Sequence, residues 1–549
     1  MIADQAILRT GAADAVRGSN APVAELEYIL EHSDSVGAVV RDDATFEKLK
    51  EEFKELNLRF VVILFSKTTN NDFALPVYSY DDFIALGRNT EFKKVEILPS
   101  DDATLIYTSG TTSNPKGVLL SHDNLMSQIE LMHPIWKASA GETLLCVLPI
   151  WHAYERSIEY YFFSKGVGLK YTNIKNIKSD LVRYNATYLV AVPRIWESLA
   201  NNILNGIRNR SKIVRKVIDF ALALSRFNRK SKRYIERADV KISKYNPFST
   251  LARTVAYFST LPLHKMFKKM FYEKMISQAG IGFRVCMSGG GALAPVFAEF
   301  FEAIGVKLVV GYGLTETAPV ITLNSVKHSN VLYSAGRPLP ETQIKIVDPE
   351  TKEELPNYTK GLVIVKGRQV MKGYYKNEIA TNEVMYGDWF LTGDIGWMTD
   401  RKDVVLTGRQ KEIIVLSNGE NVEPNPIEHA CLESPYINQI MLVGQDKAVL
   451  GALIVPSELA YKEAVGVVTP TIAQKEKIHN SDEFREFFKK EIIAKTKIHT
   501  HFRSFEKFSK FEFVSEEFSL ANGLLTQTAK MRRNVITDKY HDKIEKMYR

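Results

Sequence analysis

Residues Tyr107–Val118 read YTSGTTSNPKGV, and the rest of the chain is best interpreted outward from this stretch. The residues TLIY (104–107) predict a buried strand that runs directly into a loop of hydroxyl side chains and glycines with one lysine, Lys116. Small residues let backbone N–H groups approach a polyphosphate, while hydroxyls and a lysine add donors and positive charge. The P-loop of the usual NTPases is excluded, because Lys116 follows Pro115 and precedes Gly117. The composition alone also fits an ordinary surface turn.

Alternating helix and strand patterns surround this loop. AELEYILEHSD (24–34) has helical spacing, and VGAVVRD (36–42) and FVVILFS (60–66) are typical of strands. This alternation predicts parallel α/β layers, in which functional side chains gather at strand ends. From residue 342 onward, short strands separated by turn residues predict a small antiparallel, barrel-like subdomain.

The pattern of predicted helices and strands changes again after Gly408, where a mixed α/β segment begins. We therefore expect an α/β protein with a large N-terminal region of mixed layers, residues 1–408, which includes the barrel-like subdomain. A smaller C-terminal α/β domain, residues 409–549, is expected to follow and to be joined by a hinge. The length of 549 residues agrees with more than one core.

The composition is that of a folded protein, with 45% hydrophobic and 25% charged residues. A net charge of +8 is modest for this length and is compatible with anionic ligands or an anionic membrane surface. The sequence contains no groove-reading module, so nucleic-acid binding is not expected. Oligomeric state is not predicted.

Three cysteines, Cys146, Cys286 and Cys431, lie far apart and show neither CxxC nor Cys/His ligand spacing. We expect ordinary half-buried thiols in a reducing cytosol, with no disulfide framework and no zinc site. The N-terminal residues lack the pattern of a signal peptide, and no apolar run reaches the roughly 18 residues of a spanning helix. The expected location is cytoplasmic.

Six strings resemble, in the same order, the signatures of the adenylate-forming (AMP-binding) family, which includes acyl-CoA synthetases, peptide-synthetase adenylation domains and luciferases. They are YTSGTTSNPKGVLLSH (107–122), SGGGALAP (288–295), GYGLTET (311–317), TGD (392–394), GRQKEI (408–413) and TQTAK (526–530). The resemblance covers roughly residue 1 to the end. Six matches in order leave little room for chance, whereas one alone would be weak.

The resemblance implies a nucleotide site. Its phosphate-binding residues would be Thr108, Ser109, Gly110, Thr111, Thr112 and Lys116. Its adenine- and ribose-binding residues would be Gly289, Gly290, Gly291, Gly311, Tyr312, Gly313, Thr315, Asp394 and Arg409. Tyr312 would stack on adenine and Asp394 would accept the ribose hydroxyls; a core tyrosine and a turn-capping aspartate are the alternatives.

The same resemblance assigns the catalytic groups. Glu316 would bind Mg²⁺, for which Thr108 is a second candidate ligand. Lys530 would bridge the acid carboxylate and the α-phosphate, and Arg409 and Lys411 would form the hinge. Without the resemblance, Lys530 would be interpreted as a surface lysine.

The resemblance also implies the acyl site. His152, in PIWHAY (149–154), would lie beside the acyl group and complete the catalytic set, although a packed or capping histidine is the alternative. Trp151 would act as a gate to the acyl tunnel. The strings WHAYERSIEYYFF (151–163) and VPRIWE (192–197), with a helical insertion at about 200–275, resemble long-chain members of the family.

The insertion is strongly basic, with 13 Lys and Arg against 3 acidic residues in 208–244. Apolar residues recur between them at helical spacing, at Ile213, Val217, Phe220, Ala221 and Leu224. Such a helix can lie on an anionic bilayer, which predicts peripheral contact with the inner face of a membrane. A solvated helix pair that packs its apolar stripe on the domain is the alternative.

The chain departs from the family at its start. The first domain of the family normally begins upstream of the residue aligned with Met1, so several tens of residues are expected to be absent. All six signature strings remain, and the chemistry is therefore expected to be intact.

The expected function is ATP- and Mg²⁺-dependent activation of a long-chain fatty acid to acyl-AMP, followed by transfer of the acyl group to coenzyme A. One alternative is a ligase of the same family that uses acyl carrier protein as the thiol. A second alternative, from another class, is a catalytically weak nucleotide- or lipid-binding protein. The partners expected for the main interpretation are fatty acid, ATP and coenzyme A.

Overall fold

A computed structural model describes residues 1–19, 21–66, 73–108, 115–238, 245–278, 285–325, 330–498, 502–526 and 529–549. Its α-helices are α1 (Ile2–Arg9), α2 (Val23–His32), α3 (Asp43–Lys48), α4 (Lys50–Glu55), α5 (Tyr80–Arg88), α6 (His122–Trp136), α7 (Ala153–Ser164), α8 (Ile177–Tyr184), α9 (Pro193–Arg208), α10 (Lys212–Ile235), α11 (Pro247–Phe267), α12 (Glu273–Gln278), α13 (Pro295–Ile304), α14 (Glu378–Val384), α15 (Pro424–Cys431), α16 (Glu458–Val465), α17 (Ile472–His479), α18 (Asp482–Ile498), α19 (Arg533–Lys539) and α20 (His541–Tyr548). None of the helices in these ranges is long and apolar enough to cross a membrane.

The strands are mostly short. They are β1 (Asp14–Val16), β2 (Gly37–Val40), β3 (Phe60–Ile63), β4 (Val77–Ser79), β5 (Asp102–Thr108), β6 (Lys116–Ser121), β7 (Thr143–Cys146), β8 (Gly168–Tyr171), β9 (Tyr188–Ala191), β10 (Val285–Ser288), β11 (Leu308–Gly313), β12 (Val320–Leu323), β13 (Arg337–Pro338), β14 (Gln343–Val347), β15 (Gly361–Lys366), β16 (Gly373–Tyr374), β17 (Met385–Tyr386), β18 (Trp389–Met398), β19 (Val404–Arg409), β20 (Ile414–Val415), β21 (Asn421–Val422), β22 (Ile437–Val443), β23 (Gly451–Pro456) and β24 (Lys510–Phe513).

A seven-stranded sheet of order β13-β12-β11-β10-β9-β7-β8 forms the centre of the N-terminal region. Its strands are parallel from β8 to β11, and β12 and β13 are antiparallel additions at one edge. Helices cover both faces, because alternate residues of the strands enter two different hydrophobic clusters. Leu145 and Leu189 pack with α9 and α13, whereas Leu144 and Tyr188 pack with α6 and α7.

Three further sheets complete the N-terminal region. The strands β2, β3 and β4 are parallel, as the alternation of helix and strand predicts. The sheet of order β1-β5-β6-β16 carries the Tyr107–Val118 stretch at the turn from β5 to β6. The small subdomain predicted from residue 342 onward is an antiparallel sheet of order β14-β15-β18-β17, with β19 paired to β18.

The residues after the predicted hinge form their own core. It packs β22 and β23 against α15, α16 and α18, and every member of this cluster lies at or beyond Ile414. Separate clusters on the two sides of the chain agree with a large N-terminal and a smaller C-terminal domain. The boundary at Gly408 itself stays a prediction.

Two expectations need comment. The three cysteines are free, as expected, but each thiol residue is fully buried, with at most 2% of its surface exposed, and not half-buried. The reason is that Cys146 and Cys286 lie on central strands and Cys431 ends a helix that faces the C-terminal core. Helices α9 to α12 run from Pro193 to Gln278 and include the segment at about 200–275 in which the sequence predicted a helical insertion.

Candidate active site

A cleft of about 1900 Å³ opens at the ends of the central strands and brings the predicted site residues together. Its walls include Thr108, Lys116, Trp151, His152, Gly289, Gly290, Gly291, Gly311, Tyr312, Gly313, Thr315, Glu316, Asp394, Arg409, Lys411 and Lys530. The predicted phosphate ligands Ser109, Gly110, Thr111 and Thr112 lie outside the described residues. Residues separated by up to several hundred positions in the chain therefore face one space.

The carboxylate of Asp394 is fixed from two sides. It lies on β18, directly opposite Arg409 on β19, and the Nε of Arg409 donates to its Oδ1 over 3.0 Å. The hydroxyl of Tyr312 donates to its Oδ2 over 2.5 Å. The charge of Asp394 is the main cause that raises the pKa of Arg409, so the guanidinium stays charged. An anchored carboxylate with two acceptor oxygens suits a vicinal diol such as ribose.

The backbone around Tyr312 has no room for side chains. A Cβ at Gly313 would lie 1.8 Å from the carbonyl oxygen of Pro319, and the β11–β12 pairing shifts register at this point. A Cβ at Gly311 would meet the terminal methyl of Met287 at 2.3 Å. The Tyr312 ring therefore stands between two glycines that let β12 approach closely. Burial first, then Asp394, raises the pKa of Tyr312, so its hydroxyl remains a donor.

The glycine loop after β10 packs on helix α7. Gly290 has a positive φ of 78°, which favours glycine. A Cβ at Gly289 would lie 2.7 Å from the ring of Tyr154, in the first turn of α7. At Gly291 the nearest atom, in Pro193, would lie 3.6 Å away, which is an ordinary contact. The loop thus needs glycine at two of its three positions.

An aromatic ring separates the predicted magnesium ligand from the predicted phosphate lysine. The hydroxyl of Tyr374 donates to Oε1 of Glu316 over 2.9 Å, and Nζ of Lys116 lies 4.9 Å from the centre of the same ring. Strand β16 holds Tyr374 in place by pairing with β6, which begins at Lys116. The hydroxyl of Thr108 donates to the carbonyl oxygen of Lys116 over 3.5 Å. The cation and the carboxylate are thereby kept apart from each other and within one wall.

His152 is a neutral side chain that also begins a helix. Its Nδ1 accepts a hydrogen bond from the backbone N–H of Tyr154 over 3.2 Å and so caps α7. Burial, then the charges of Lys530 and Arg17, lower the pKa of His152 to about 4. Because Nδ1 is the acceptor, the neutral ring carries its proton on Nε2. His152 therefore both caps α7 and lines the cleft.

Trp151 shares this wall with Arg17, which the sequence did not single out. The Arg17 guanidinium lies 5.1 Å from the centre of the Trp151 ring, donates to the carbonyl oxygen of Tyr107 and pairs with Glu25 over 2.5 Å. The ring of Trp151 contacts that of His152 edge-on at 6.1 Å. A cation thus fixes the indole that the resemblance assigns to the acyl site.

Lys530 reaches the cleft from the C-terminal region. Its backbone N–H donates to Oγ1 of Thr526 over 3.1 Å, and its carbonyl oxygen accepts from the N–H of Thr526 over 2.8 Å. Its side chain keeps contact with solvent in the cleft. Partial loss of hydration inside the cleft, followed by the charge of Arg409, lowers the pKa of Lys530, whereas Asp394 raises it. The lysine is therefore electrostatically coupled to residues of the N-terminal region.

Contacts across the two regions hold this arrangement. Arg194, at the start of α9, donates from Nη1 to the carbonyl oxygen of Asn438 over 3.2 Å and from Nη2 to its Oδ1 over 3.1 Å. Asn438 donates in turn to Glu517 over 2.7 Å. Lys360 pairs with Glu423 over 2.9 Å. These contacts place the C-terminal region against the mouth of the cleft.

Residues 1–375 match the family described as AMP-binding enzyme, and residues 411–510 match the AMP-binding enzyme C-terminal domain. The chain belongs to the AMP-binding enzyme family. The match confirms the resemblance inferred from the six strings. The fold prediction is also confirmed, as the chain matches solved structures with a large N-terminal and a smaller C-terminal domain.

Relatives of this AMP-binding enzyme include two proteins of Arabidopsis thaliana. The probable acyl-activating enzyme 16, chloroplastic, is 40% identical over 100% of this chain and 80% of its own length. The long-chain-fatty-acid–[acyl-carrier-protein] ligase AEE15, chloroplastic, is 39% identical over 100% of this chain and 77% of its own length. The long-chain-fatty-acid–CoA ligase FadD15 of Mycobacterium bovis is 29% identical over 82% of this chain and 70% of its own length.

A solved structure supports the fold of the enzyme. ATP-bound MatB from Rhodopseudomonas palustris has a TM-score of 0.67 and 20% identity, and the match covers 98% of this chain and 86% of MatB. At this identity the similarity concerns the fold.

Two residues of the AMP-binding enzyme's cleft escaped the sequence analysis. Tyr374 lies in MKGYYKN (371–377), and Arg17 lies in DAVRG (14–18), and neither string has a distinctive spacing. Both are placed by strand pairing, since β16 joins β6 and β1 joins β5. Only the sheet order could have shown that they reach the cleft.

Helix α7 of the AMP-binding enzyme carries a buried acidic pair behind His152. Ligand atoms of Glu155, Glu159 and Cys146 lie within 4.8 Å of one another. Burial raises the pKa of Glu155 and of Glu159, and it raises the pKa of the Cys146 thiol. Burial favours the uncharged form of each of these groups, and we interpret the cluster as part of the core.

Proposed function

We propose that this enzyme joins a long-chain fatty acid to AMP at the expense of ATP, releases pyrophosphate, and then transfers the acyl group to coenzyme A. The observation that supports the proposal best is the meeting of Lys530 with Asp394, Arg409 and Glu316 in one cleft. A site that binds a nucleotide only to hold it would not need a lysine supplied by a second domain. The order of the two half-reactions follows from the chemistry of the groups.

In the first step an oxygen of the fatty-acid carboxylate attacks the α-phosphorus of ATP, and the bond between the α- and β-phosphates breaks. Both reactants are anions, so cations must offset their repulsion and align them. In the proposal Lys116 binds the leaving phosphates, and Lys530 bridges the carboxylate and the α-phosphate. Tyr312 and Asp394 hold the adenosine, because the ring faces the cleft and the carboxylate is fixed by two donors.

The residues present suit Mg²⁺. Glu316 lines the cleft, and Tyr374 uses one of its two carboxylate oxygens, which leaves a hard oxygen ligand for a cation. The hydroxyl of Thr108 lies at the end of β5 on the same wall. When bound, Mg²⁺ neutralises phosphate charge and orients the pyrophosphate for departure. Glu316 and Thr108 are the residues we assign to hold it.

In the second step the C-terminal domain turns about Arg409–Lys411, and Lys530 leaves the cleft. The thiol of coenzyme A gives its proton to solvent as its sulfur attacks the acyl carbonyl carbon, and AMP departs with the electrons of the mixed-anhydride bond. Neutral His152, at the proposed acyl end of the cleft, positions the reactants without adding charge. Domain rotation about a short hinge is a common form of rearrangement.

Acyl carrier protein is a second candidate for the acceptor thiol. The relative named as an acyl-carrier-protein ligase is 39% identical to this chain, whereas a relative named as a CoA ligase is 29% identical. Supplying each thiol in turn with acid, ATP and Mg²⁺ separates the two, because only the true acceptor yields a thioester.

A cytoplasmic position, at the inner face of a membrane, is part of the proposal. The three free, buried thiols agree with a reducing compartment. Two relatives are named chloroplastic, and fractionation of cells of the source organism would decide between compartments.

The decisive experiment compares Lys530→Ala with the surface variant Lys539→Ala. We expect Lys530→Ala to lose at least about a hundredfold in fatty-acid-dependent ATP–pyrophosphate exchange, because the carboxylate and the phosphate are no longer bridged. Its transfer of supplied acyl-AMP to coenzyme A should be retained. Lys539→Ala should resemble the wild type in both assays.

An acid panel from acetate to oleate, with aromatic acids included, defines the substrate by AMP release. Long-chain acids should give the highest kcat/KM. The proposal is wrong if no carboxylate yields AMP and pyrophosphate, or if Lys530→Ala keeps full exchange.

A further inference from the structure

Helices α10 and α11 form an antiparallel hairpin that is held together in part by polar contacts. Nδ1 of His264 lies 2.9 Å from the hydroxyl of Ser225, and Asn228 donates to Thr260 and to the carbonyl oxygen of Tyr257, each over 2.9 Å. On its other side α10 packs on α13 of the N-terminal core. The polar side chains on the inner surface of α11 therefore have hydrogen-bond partners on α10. The outer surface of α11 has a different composition.

The outer surface of α11 is a row of large apolar side chains. Phe248, Leu251, Val255, Phe258, Leu263 and Met266 recur at helical spacing, and the first four keep 62–83% of their surface exposed. A surface helix normally turns its apolar stripe to the core, so α11 is reversed. The row spans eighteen positions, or about 27 Å at 1.5 Å per residue. Exposed apolar rows of this size mark interaction surfaces.

Helix α10 extends the row. Ile213, Val217, Phe220 and Phe227 keep 42–78% of their surface exposed. Two aromatic contacts link α10 to α11 beside this row. The ring centres of Phe220 and Phe267 are 6.3 Å apart, and the guanidinium of Arg253 lies 5.7 Å from the ring of Phe227. We call these six residues of α11 and four residues of α10 the hairpin face.

Positive charge is concentrated at the hairpin. Residues 208–278 contain 18 Lys and Arg against 4 Asp and Glu, whereas the remainder of the chain contains 54 against 60. The net charge of +8 is thus produced by this segment alone. Exposed lysines of the hairpin include Lys216 and Lys230 on α10 and Lys265 on α11, with Lys269 directly after it.

We propose that the hairpin face docks on an anionic membrane surface, with the apolar row at the boundary between headgroups and acyl chains and the lysines at the lipid phosphates. An interfacial helix combines these two features. A second copy of the chain is disfavoured because two such basic faces repel each other. An acidic protein would match the charge but would also have to cover a convex row about 27 Å long.

The hairpin lies next to the cleft, so docking on a membrane would bring the cleft close to the lipid. The cleft that contains Asp394 and Lys530 is also lined by Arg229 and Lys232 of α10 and by His264 of α11. A fatty acid held in the bilayer would therefore lie close to the space in which it reacts. This last step rests on the proposed function, whereas docking itself does not.

The test measures binding of the full chain to sedimenting vesicles. Neutral phosphatidylcholine vesicles are compared with vesicles containing roughly one third phosphatidylglycerol. The wild type should bind the anionic vesicles at least about tenfold more tightly, and added salt should weaken binding. Phe248→Gln/Leu251→Gln/Phe258→Gln should lose at least about tenfold in affinity, and Lys216→Gln/Lys265→Gln/Lys269→Gln should lose the preference for anionic lipid.

The matched control is Ile379→Gln/Ile472→Gln, which replaces exposed apolar residues on α14 and α17 and should bind like the wild type. All variants should release AMP from a soluble medium-chain acid at the wild-type rate, so failure of docking is distinguishable from failure of the reaction. Membrane docking is overturned if the wild type does not bind anionic vesicles or if the triple Gln variants bind unchanged. It is also overturned if the hairpin variants abolish a dimer, or capture of purified acyl carrier protein, while vesicle binding is absent.

Discussion

Nε of Arg409 donates to Oδ1 of Asp394 over 3.0 Å, and this contact joins the predicted hinge to the predicted ribose ligand. The two residues lie opposite each other on β18 and β19, so the strand ladder fixes their distance. Tyr312 occupies the second oxygen of the same carboxylate. The proposed nucleotide site and the predicted pivot of the C-terminal domain therefore share one charged group.

Asp394→Asn should weaken ATP binding. The amide has one acceptor oxygen instead of two and no charge to pair with Arg409, so we expect the Kd for ATP to rise at least about tenfold. Isothermal titration of the variant with MgATP measures it. Asp388→Asn, on the exposed turn before β18, is the matched control. An unchanged Kd for Asp394→Asn would contradict the assignment.

The glycine loop gives a second prediction. Gly289→Ala places a Cβ 2.7 Å from the ring of Tyr154, whereas Gly291→Ala meets Pro193 at 3.6 Å. We expect Gly289→Ala to raise the KM for ATP several-fold, by displacing the loop or α7, and Gly291→Ala to stay within about twofold of the wild type. An equal KM for ATP in the two variants would show that the loop accommodates the added Cβ at Gly289, and the prediction would then be wrong.

Tyr374→Phe removes the hydroxyl that donates to Glu316. Because the carboxylate is then free to turn, we expect a change in the Mg²⁺ concentration that gives half-maximal activity and a loss of about tenfold in kcat. The neighbouring Tyr375→Phe is the control, since its hydroxyl donates to Asp34 outside the cleft. A Mg²⁺ titration of AMP release in both variants tests the prediction, which fails if their curves coincide.

Arg194→Ala removes the contact between α9 and the C-terminal region. Hydrogen bonds from a charged donor contribute about 1.5–3 kcal/mol, and partial exposure reduces this, so we expect a loss of roughly three- to tenfold in ATP–pyrophosphate exchange. Transfer from supplied acyl-AMP should not slow, because that step needs Lys530 to leave. Arg183→Ala, exposed on α8, should affect neither assay. Equal losses in both half-reactions would argue against a domain contact.

Acid should destabilise the fold through buried histidines. Burial, followed by Arg229 and Lys268, lowers the pKa of His264 to about 4, and burial, followed by three cations, lowers that of His479 to about 3. In the unfolded chain these histidines have a pKa of about 6.5. Below that pH the unfolded state therefore binds more protons than the native state does. The free energy of unfolding should therefore fall, by up to about 1.4 kcal/mol per pH unit for each histidine, as pH decreases from about 6.5 toward 4.

Urea melts between about pH 7 and 5 measure this slope. His479→Gln should make the slope shallower, because one proton-binding difference is removed. His541→Gln, on the exposed face of α20, should leave it unchanged. A flat stability profile in the wild type would contradict the direction of the pKa shifts.

The sequence predicted the site residues whose roles depend on local strings. Asp394, Glu316 and Lys530 each lie in a short signature, and all three line the cleft. Tyr374 and Arg17 were missed because their positions depend on strand pairing between distant segments. Sequence patterns depend on residues that are close together in the chain, whereas the order of strands in a sheet depends on tertiary packing.

The hairpin shows the same limit in another form. Helical spacing in α10 indicated an amphipathic helix, but it did not tell whether the apolar stripe packs on the domain or faces solvent. The row on α11, from Phe248 to Met266, escaped attention because a stripe of this kind is ordinarily buried. Only the exposure of each side chain decides this question.

His152 caps helix α7, and the second residue of the helix, Tyr154, closes against Gly289 of the glycine loop. One helical turn consequently borders both the proposed fatty-acid end and the proposed adenine end of the cleft. Substitutions made at these two ends will not combine as independent increments, and a double-mutant cycle between His152 and Gly289 should return a measurable interaction energy. Engineers who alter acyl preference here should expect the affinity for nucleotide to change with it.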